Sequence, residues 1–542
     1  MRSRLRPASV LAATGIVITG VALTIGGPSA EAVTEAHEST SAQTFITTAS
    51  VPPIDAPSDC PTSTAPTAPS GPTSMSPGAL KAIDDSIPLY VDHWSAQCGE
   101  RITIRLGSAH GANTVVRAYR IGWYAGAGST LVWSSAPLRV PATRMSTVSK
   151  PTIPSPNFKT AIGATIDASW RPGLYAIVTS VGSRITGVAE FVVRSTKPAA
   201  PAIVIYSGLT NASYSPFGGA SLYRGLDGGS LATTVALQRP LILTGRVSFL
   251  KQDVPTAQLL DRAGINADPV IDTDVHAKPA LLKSRTLVIL PGHSEYWTKQ
   301  MYDGLLTAQS AGTNIAVLGA NEIYWQARIR TNSAGQPTSM FVARNLAKDP
   351  MGKTTPELAT VRWRDAPLLH DPASSLGESY TVTKAHGSLQ ILSVPDWLSN
   401  VTGLRHGAIL KDVAAGEVDG PQVTSSISMP PHLQVIGLGL LKGPGGRVAT
   451  AGMTYYTAPS GSAVFQFGST NWACQIMASC PDGVTTAHTR QTQWAMTTTV
   501  LRALLQKGWG RTHPSTPNAP KTLTAMHSAL SPAAYGSYGT GS

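Results

Sequence analysis

Charge is scarce in this sequence. Only 13% of its 542 residues are Asp, Glu, Lys or Arg, against about 25% in an ordinary soluble domain. Low charge beside 42% apolar content is the reverse of the disorder signature, so a wholly disordered chain is excluded. The length excludes one small domain and predicts roughly two or three. Clustered basic charge is also missing. Lys and Arg outnumber Asp and Glu by 42 to 30, yet outside the extreme N-terminus they form no run, so the footprint of a nucleic-acid binder is absent. Cysteines number four, with no C-x-x-C pair, which argues against a zinc site. After the N-terminal segment no apolar run reaches the roughly 18 residues that span a bilayer.

The N-terminal segment itself reads as a secretory signal peptide. Arg2, Arg4 and Arg6 precede an apolar stretch from Val10 to Ile25 and a small-residue site, Ala30-Glu31-Ala32, the order that export signals require. Cleavage after Ala32 is expected, with an uncleaved anchor as the alternative. It removes three arginines and one glutamate and takes the net charge from +12 to +10. The expected product is secreted, with no stable membrane insertion. Four cysteines in an exported chain read as two disulfides, for which three pairings exist. Proximity favours Cys474 with Cys480, which leaves Cys60 for Cys98.

Residues 33–85 are rich in Ser, Thr, Pro and Ala, too poor in large apolar groups to offset the entropy of ordering, and read as a tether. Residues 86–196 turn to short alternating runs such as Arg101–Leu106, Val115–Ile121, Leu174–Val178 and Ala189–Val193, the pattern of an antiparallel, immunoglobulin-like β-sandwich. Gly122-Trp123-Tyr124 and Trp170-Arg171-Pro172-Gly173 are either exposed platforms for a sugar or core and interface aromatics.

After Pro198 the strands become continuously apolar: Ala202–Tyr206, Asp268–Ile271, Thr286–Leu290 and Asn314–Leu318, as in parallel strands buried on both faces. Helices are expected between them at Pro255–Arg262, stopped by Gly264, and at Thr298–Ser310, stopped by Gly312. Residues 199–510 therefore form an α/β domain with βαβ connections, and residues 511–542 a flexible tail.

Chemistry collects after the strands, in Asn211–Tyr223, Asp272–His276, Gly292–Trp297 and Gly319–Trp325. That edge of an open α/β sheet is where ligands bind. With the signatures Gly218-Gly219-Ala220-Ser221-Leu222-Tyr223, Thr273-Asp274-Val275-His276, Gly292-His293-Ser294-Glu295-Tyr296-Trp297, Leu318–Trp325, Gly416-Glu417-Val418-Asp419, Ser460–Phe465 and Phe467–Trp472, the chain resembles the large (β) subunit of N,N-dimethylformamidase over about 202–509. The resemblance implies a class I glutamine-amidotransferase-like parallel sheet sandwich, a mononuclear iron held by two tyrosines and a glutamate, and a separate small subunit or a homo-oligomer as partner.

Two phenolates and a carboxylate are hard anionic donors suited to Fe(III), and such a centre polarises an amide carbonyl and acidifies water. On this resemblance the ligands fall on Tyr296, Tyr324 and Glu417, with Glu295, Glu322 and Glu378 competing for the carboxylate role. His293 or His276 serves as general base or supporting partner, and Asn321 holds the substrate oxygen. The expected substrate is a small amide or a cell-envelope component. Two other classes compete. One is a metal-free serine hydrolase whose nucleophile is Ser294, just past a strand. The other is a non-catalytic secreted protein that binds envelope polysaccharide.

Overall fold

In the first part, alternation and burial agree residue by residue. Arg101–Leu106 buries Ile102, Ile104 and Leu106 and leaves Arg101 exposed, the period of a half-buried strand. In this computed structural model, the described residues are 82–539 apart from 146–150, 224–230, 243–248, 422–428, 481–484, 520–524, 526–527 and 529, together with 60, 72–75 and 80. The proposed signal peptide lies outside them. Arg101–Leu106 pairs with Leu89–Val91 and Thr160–Thr165, while Gly173–Val181, flanked by Arg184–Arg194 and Ala112–Ile121, centres a second, six-stranded sheet. A shared core of Ile102, Ile104, Val116, Ile177 and Phe191 is fully buried.

The two aromatic segments are packed inside or between elements. Trp170 is buried against Tyr175 and Phe191. Trp123 lies 4.5 Å from the guanidinium of Arg262, which has Trp494 at 4.4 Å as well, a pair of cation–π contacts joining the strand-rich part to two helices.

The second part is built on a ten-stranded sheet. Its strands are Ala202–Tyr206 (β1), Ala267–Ile271 (β2), Leu287–Leu290 (β3), Asn314–Val317 (β4), Ser379–Ile391 (β5), Ile409–Gly420 (β6), Gln434–Lys442 (β7), Val448–Thr457 (β8), Ala463–Gln466 (β9) and Tyr535–Tyr538 (β10). The order is β2-β1-β3-β4-β9-β8-β7-β10-β5-β6. The first five are mutually parallel and, as their unbroken apolar runs require, buried on both faces. The sheet then turns largely antiparallel, so the molecule is mixed α/β, with several sheets and few helices.

The helices that matter for the site are Gly208–Tyr214 (α1), Val254–Ala263 (α2), Asp272–Ala277 (α3), Lys299–Ser310 (α4) and Ala487–Leu504 (α5). Helix α2 ends at Gly264 with φ 67°, a left-handed position at which glycine avoids the Cβ clash. Helix α4 opens with the Thr298 side chain accepting from Met301 N. Among the described residues no helix is long and apolar enough to cross a membrane.

Two segments differ from their sequence reading. Tyr535–Tyr538, placed in a flexible tail, pairs with β5 at Ala385 and His386 and with β7 at Leu440–Lys442, beyond the short stretch at Gln390 and Ile391 where β5 and β7 pair directly. Met75, placed in the tether, is buried and donates its backbone N–H to Ser129 Oγ at 2.8 Å. Both expected disulfides are present, Cys60–Cys98 and Cys474–Cys480, and they accord with an exported protein.

Candidate functional site

Four chain segments meet at the carboxyl ends of β1, β3 and β4. The segment after β3 turns sharply through Gly292, where a Cβ would lie 2.4 Å from Gln252, and presents His293, Ser294, Glu295 and Tyr296 in succession. The backbone N–H of Glu295 donates to Thr210 Oγ1 in α1 at 2.9 Å. This fixes its carboxylate between two phenols. Tyr214 Oη donates to Glu295 Oε2 at 2.8 Å, and Tyr223 Oη donates to Glu295 Oε1. The two rings stack with centroids 4.2 Å apart, and the Arg344 guanidinium covers the outer face of Tyr223 at 4.3 Å.

On the other side of Glu295 stands His293. Its Nε2 is 3.6 Å from Glu295 Oε2, 3.3 Å from Glu417 Oε2 and 3.4 Å from Asn321 Nδ2. Asn321 Nδ2 also donates to Glu417 Oε2 at 2.6 Å. Asn321 adopts φ 58°, which a non-glycine residue holds only when its surroundings enforce it; here Asp419 Oδ1 accepts its N–H at 2.7 Å. Glu417 sits on strand β6, at a register shift against β5, beside Gly416 with φ 78°. A Cβ at Gly416 would lie 2.5 Å from Thr470 Oγ1, and that same hydroxyl accepts from Glu417 N at 2.9 Å. The Phe467–Trp472 segment is thus the floor beneath Glu417.

The electrostatics separate the two carboxylates. Burial raises Glu295; the nearby His293 offsets part of that rise, and Glu417 beside it adds a smaller push upward. Burial also opposes ionisation of Glu417, but His293 and the hydrogen bonds from His293, Asn321 and Thr383 hold it below the usual carboxylate range. His293 loses stability as a cation through burial, yet Glu417 and Glu295 lift it above its ordinary value. His293 and Glu417 are therefore an ion pair, and Glu417 is its more open end, with 23% of its side chain exposed against 6% for His293. Tyr214 and Tyr223 are both held well above the tyrosine range, first by burial and then by Glu295.

Of the residues singled out from sequence, His293, Asn321 and Glu417 come together here. His276 does not: its Nδ1 lies 3.0 Å from Thr298 Oγ1, at the start of α4. Ser294 is fully buried, and its Oγ accepts from the Trp297 indole at 2.9 Å; His293 Nε2 points to carboxylates instead. Tyr296 pairs with Trp325 in a two-residue parallel bridge, and its hydroxyl accepts from Arg344. The Tyr324 ring packs edge-on against Tyr380 at 5.2 Å, with Arg364 Nη2 3.5 Å from its hydroxyl. Among the competing carboxylates, Glu322 Oε2 accepts from Ser294 N at 3.0 Å, and Glu378 fills the space beside Gly452 and Gly468.

Sequence reasoning gave no role to Tyr214, Tyr223, Thr210 or Arg344. Tyr214 and Tyr223 do lie within the Asn211–Tyr223 segment at the end of the first parallel strand, which was the available signal. Below α1, Asn211 Nδ2 donates to Glu190 Oε2 at 2.7 Å and Asp253 Oδ2 at 3.0 Å, so a strand of the first part supports the helix that carries Tyr214.

Fold and site define a mixed α/β protein with a buried cluster of phenols, carboxylates and an imidazole on the carboxyl edge of its parallel strands. The chain belongs to the N,N-dimethylformamidase beta subunit-like, C-terminal family, whose model matches residues 115–484. The match begins inside the strand-rich first part. No curated protein matches the chain. Solved structures that overlap it include the alkylpurine DNA glycosylase AlkC of Pseudomonas fluorescens, bound to DNA containing an abasic site analog (19% identity, 20% of this chain and 31% of that chain, TM-score 0.14). Others are an uncharacterized protein from Bacillus anthracis str. Ames (14% identity, 23% and 96%, TM-score 0.16) and a beta-glucosidase from Listeria innocua (16% identity, 20% and 16%, TM-score 0.13). Overlaps at this level bear on neither fold nor function.

Proposed function

We propose that the protein is a secreted, iron-dependent amidohydrolase of the dimethylformamidase kind, cleaving the C–N bond of a small amide. Two phenols meeting the two oxygens of one buried carboxylate is the observation that carries this reading. Tyr214, Tyr223 and Glu295 take the donor roles in place of Tyr296, Tyr324 and Glu417. The set fits a trivalent iron on its own chemistry: three hard oxygen donors, all raised by burial and the two phenols further by the Glu295 charge, which a bound cation relieves. Tyr296 is less suited, because its hydroxyl already accepts from the cationic Arg344.

When bound, the metal would supply Lewis acidity toward an amide carbonyl and a water. The chain supplies the rest. Glu417, ionised and partly open, accepts a proton at Oε2 from water. His293 Nε2, 3.3 Å from Glu417 Oε2, gives its proton to the departing amine nitrogen and is reprotonated by the one Glu417 took from water. Asn321 Nδ2 fixes the Glu417 carboxylate and stands as a donor for a substrate oxygen.

The family's name as a beta subunit supports a smaller partner subunit, and a homo-oligomer would serve the same end. We also retain the amidotransferase-like character of the parallel core, the immunoglobulin-like character of the first part, and the division into signal peptide, tether and two folded parts.

Metal content and visible absorption of the mature chain test the reading. Stoichiometric iron with a tyrosinate-to-iron band is expected, lost in Tyr214→Phe and Tyr223→Phe and kept in Tyr324→Phe. Absence of iron after expression in iron-replete medium would sink the metal centre. Loss of the band in Tyr296→Phe and Tyr324→Phe, with Tyr214→Phe unaffected, would return the donor set to that pair.

A further inference from the structure

Tyr214 and Tyr223 are nine residues apart in sequence with stacked rings, and there is no regular structure among residues 215–223. What shapes it is a single cation. Arg239 Nη1 donates to the carbonyls of Ser215 at 2.9 Å, Phe217 at 2.8 Å and Ala220 at 3.4 Å, and its Nη2 donates to that of Ala212 at 2.6 Å. The side chain is buried, with 7% of the residue exposed. Burial pushes it down to about 9, so it stays charged at neutral pH.

Four carbonyls aimed at one planar cation compensate its desolvation and fix the path of the segment around it. The loop closes where Leu222 N donates to Ser213 O at 3.0 Å. It is pinned to the Arg239 segment by Ser215 Oγ, which donates to Pro240 O at 2.9 Å and accepts from Ile242 N at 3.1 Å.

We infer that Arg239 is the positioning residue for the two phenols: its guanidinium is the hub on which residues 212–220 are wound, and that winding brings Tyr214 and Tyr223 onto opposite oxygens of Glu295. Lysine cannot replace it, because an ammonium has no planar fork to spread over four acceptors. The inference rests on the reading of Tyr214, Tyr223 and Glu295 as metal donors, and its structural half is measurable without metal.

The test is Arg239→Lys in the full-length mature chain, read by amide hydrogen exchange on metal-free protein and by iron titration followed in the visible. Expected are exchange at least tenfold faster across 212–223, with 202–206 and 287–290 unchanged, and iron affinity lowered at least tenfold with a shifted tyrosinate band. Wild-type exchange in 212–223, or faster exchange with wild-type iron affinity and band, overturns the inference. If the wild type takes no iron, the donor reading falls, and exchange alone decides the role of Arg239. Should Arg239→Lys fail to fold, Ser215→Ala loosens the same loop from the other side. The same two readouts are expected to move in it, and unchanged exchange there also overturns the inference.

Discussion

His293 stands between two carboxylates that differ in one respect: Glu295 is closed in by tyrosines, while Glu417 faces partly outward. On the proposed mechanism the proton-handling pair is His293 with Glu417, and removing the charge at its open end is expected to cost catalysis more than stability. Glu417→Gln keeps a carbonyl oxygen to accept from Asn321. Its kcat should fall by roughly 10²- to 10⁴-fold, well beyond what the lowered unfolding midpoint from the lost ion pair explains, measured by steady-state kinetics beside a urea melt. Ser294→Ala separates the serine hydrolase from the metal reading in the opposite sense. The Trp297 indole loses one acceptor, worth about 1 kcal/mol, and activity should stay within a few-fold. Abolished activity in a folded Ser294→Ala would restore the serine as nucleophile.

Asp349 supports the site from a distance. Its carboxylate accepts from Arg328 Nη1 and Nη2 at 2.8 and 2.5 Å and from Thr360 N and Oγ1 at 2.7 Å each. Thr360 in turn accepts from Ala343 and Arg344 N–H groups, so the clamp sets the Arg344 segment that covers Tyr223. Its side chain is fully enclosed, and although burial opposes ionisation, those bonds lower the carboxyl from 3.8 to about 2. A folded value below the unfolded one contributes stability that is complete above about pH 4 and lost as pH falls toward 2. Wild type should therefore exceed Asp349→Asn by about 2 kcal/mol near pH 5, with the difference vanishing near pH 2 in paired denaturant melts.

The elements were legible where one local rule decides them. Period-two burial marks Arg101–Leu106, unbroken apolar runs mark β1 to β4, and Gly264 closes α2. The same rules miss β10, which lies between β5 and β7 where those two strands no longer pair with each other. Nor do they place Glu417, which lies within a long strand at a register shift against β5, beside Gly416 at positive φ. His293 and Asn321 were readable from their place after parallel strands. The convergence of Tyr214 and Tyr223 on Glu295 was not, since it depends on Arg239, a residue outside every motif. The register shift makes its own prediction. Gly416→Ala places a Cβ at positive φ against Thr470, at a cost of roughly 1–3 kcal/mol. Activity should fall further than that stability loss explains, because Glu417 is displaced; equal activity at matched folded fraction would show the register shift to be incidental.

Across the whole chain, the two disulfides close loops of very different length, with sequence separations of 38 for Cys60–Cys98 and 6 for Cys474–Cys480. Loop entropy assigns the first about 4 kcal/mol and the second about 2. Cys98→Ser with Cys60→Ser should accordingly lower the denaturation midpoint more than the Cys474 and Cys480 double variant, and the reverse order would mean that strain or residual unfolded structure dominates.

Glu190 belongs to the strand-rich first part, and it is hydrogen-bonded to Asn211, three residues before Tyr214. A foreign module in place of that first part would arrive without the carboxylate under the helix that carries Tyr214, and the family's match, which begins at residue 115 inside the first part, takes in both members of this contact.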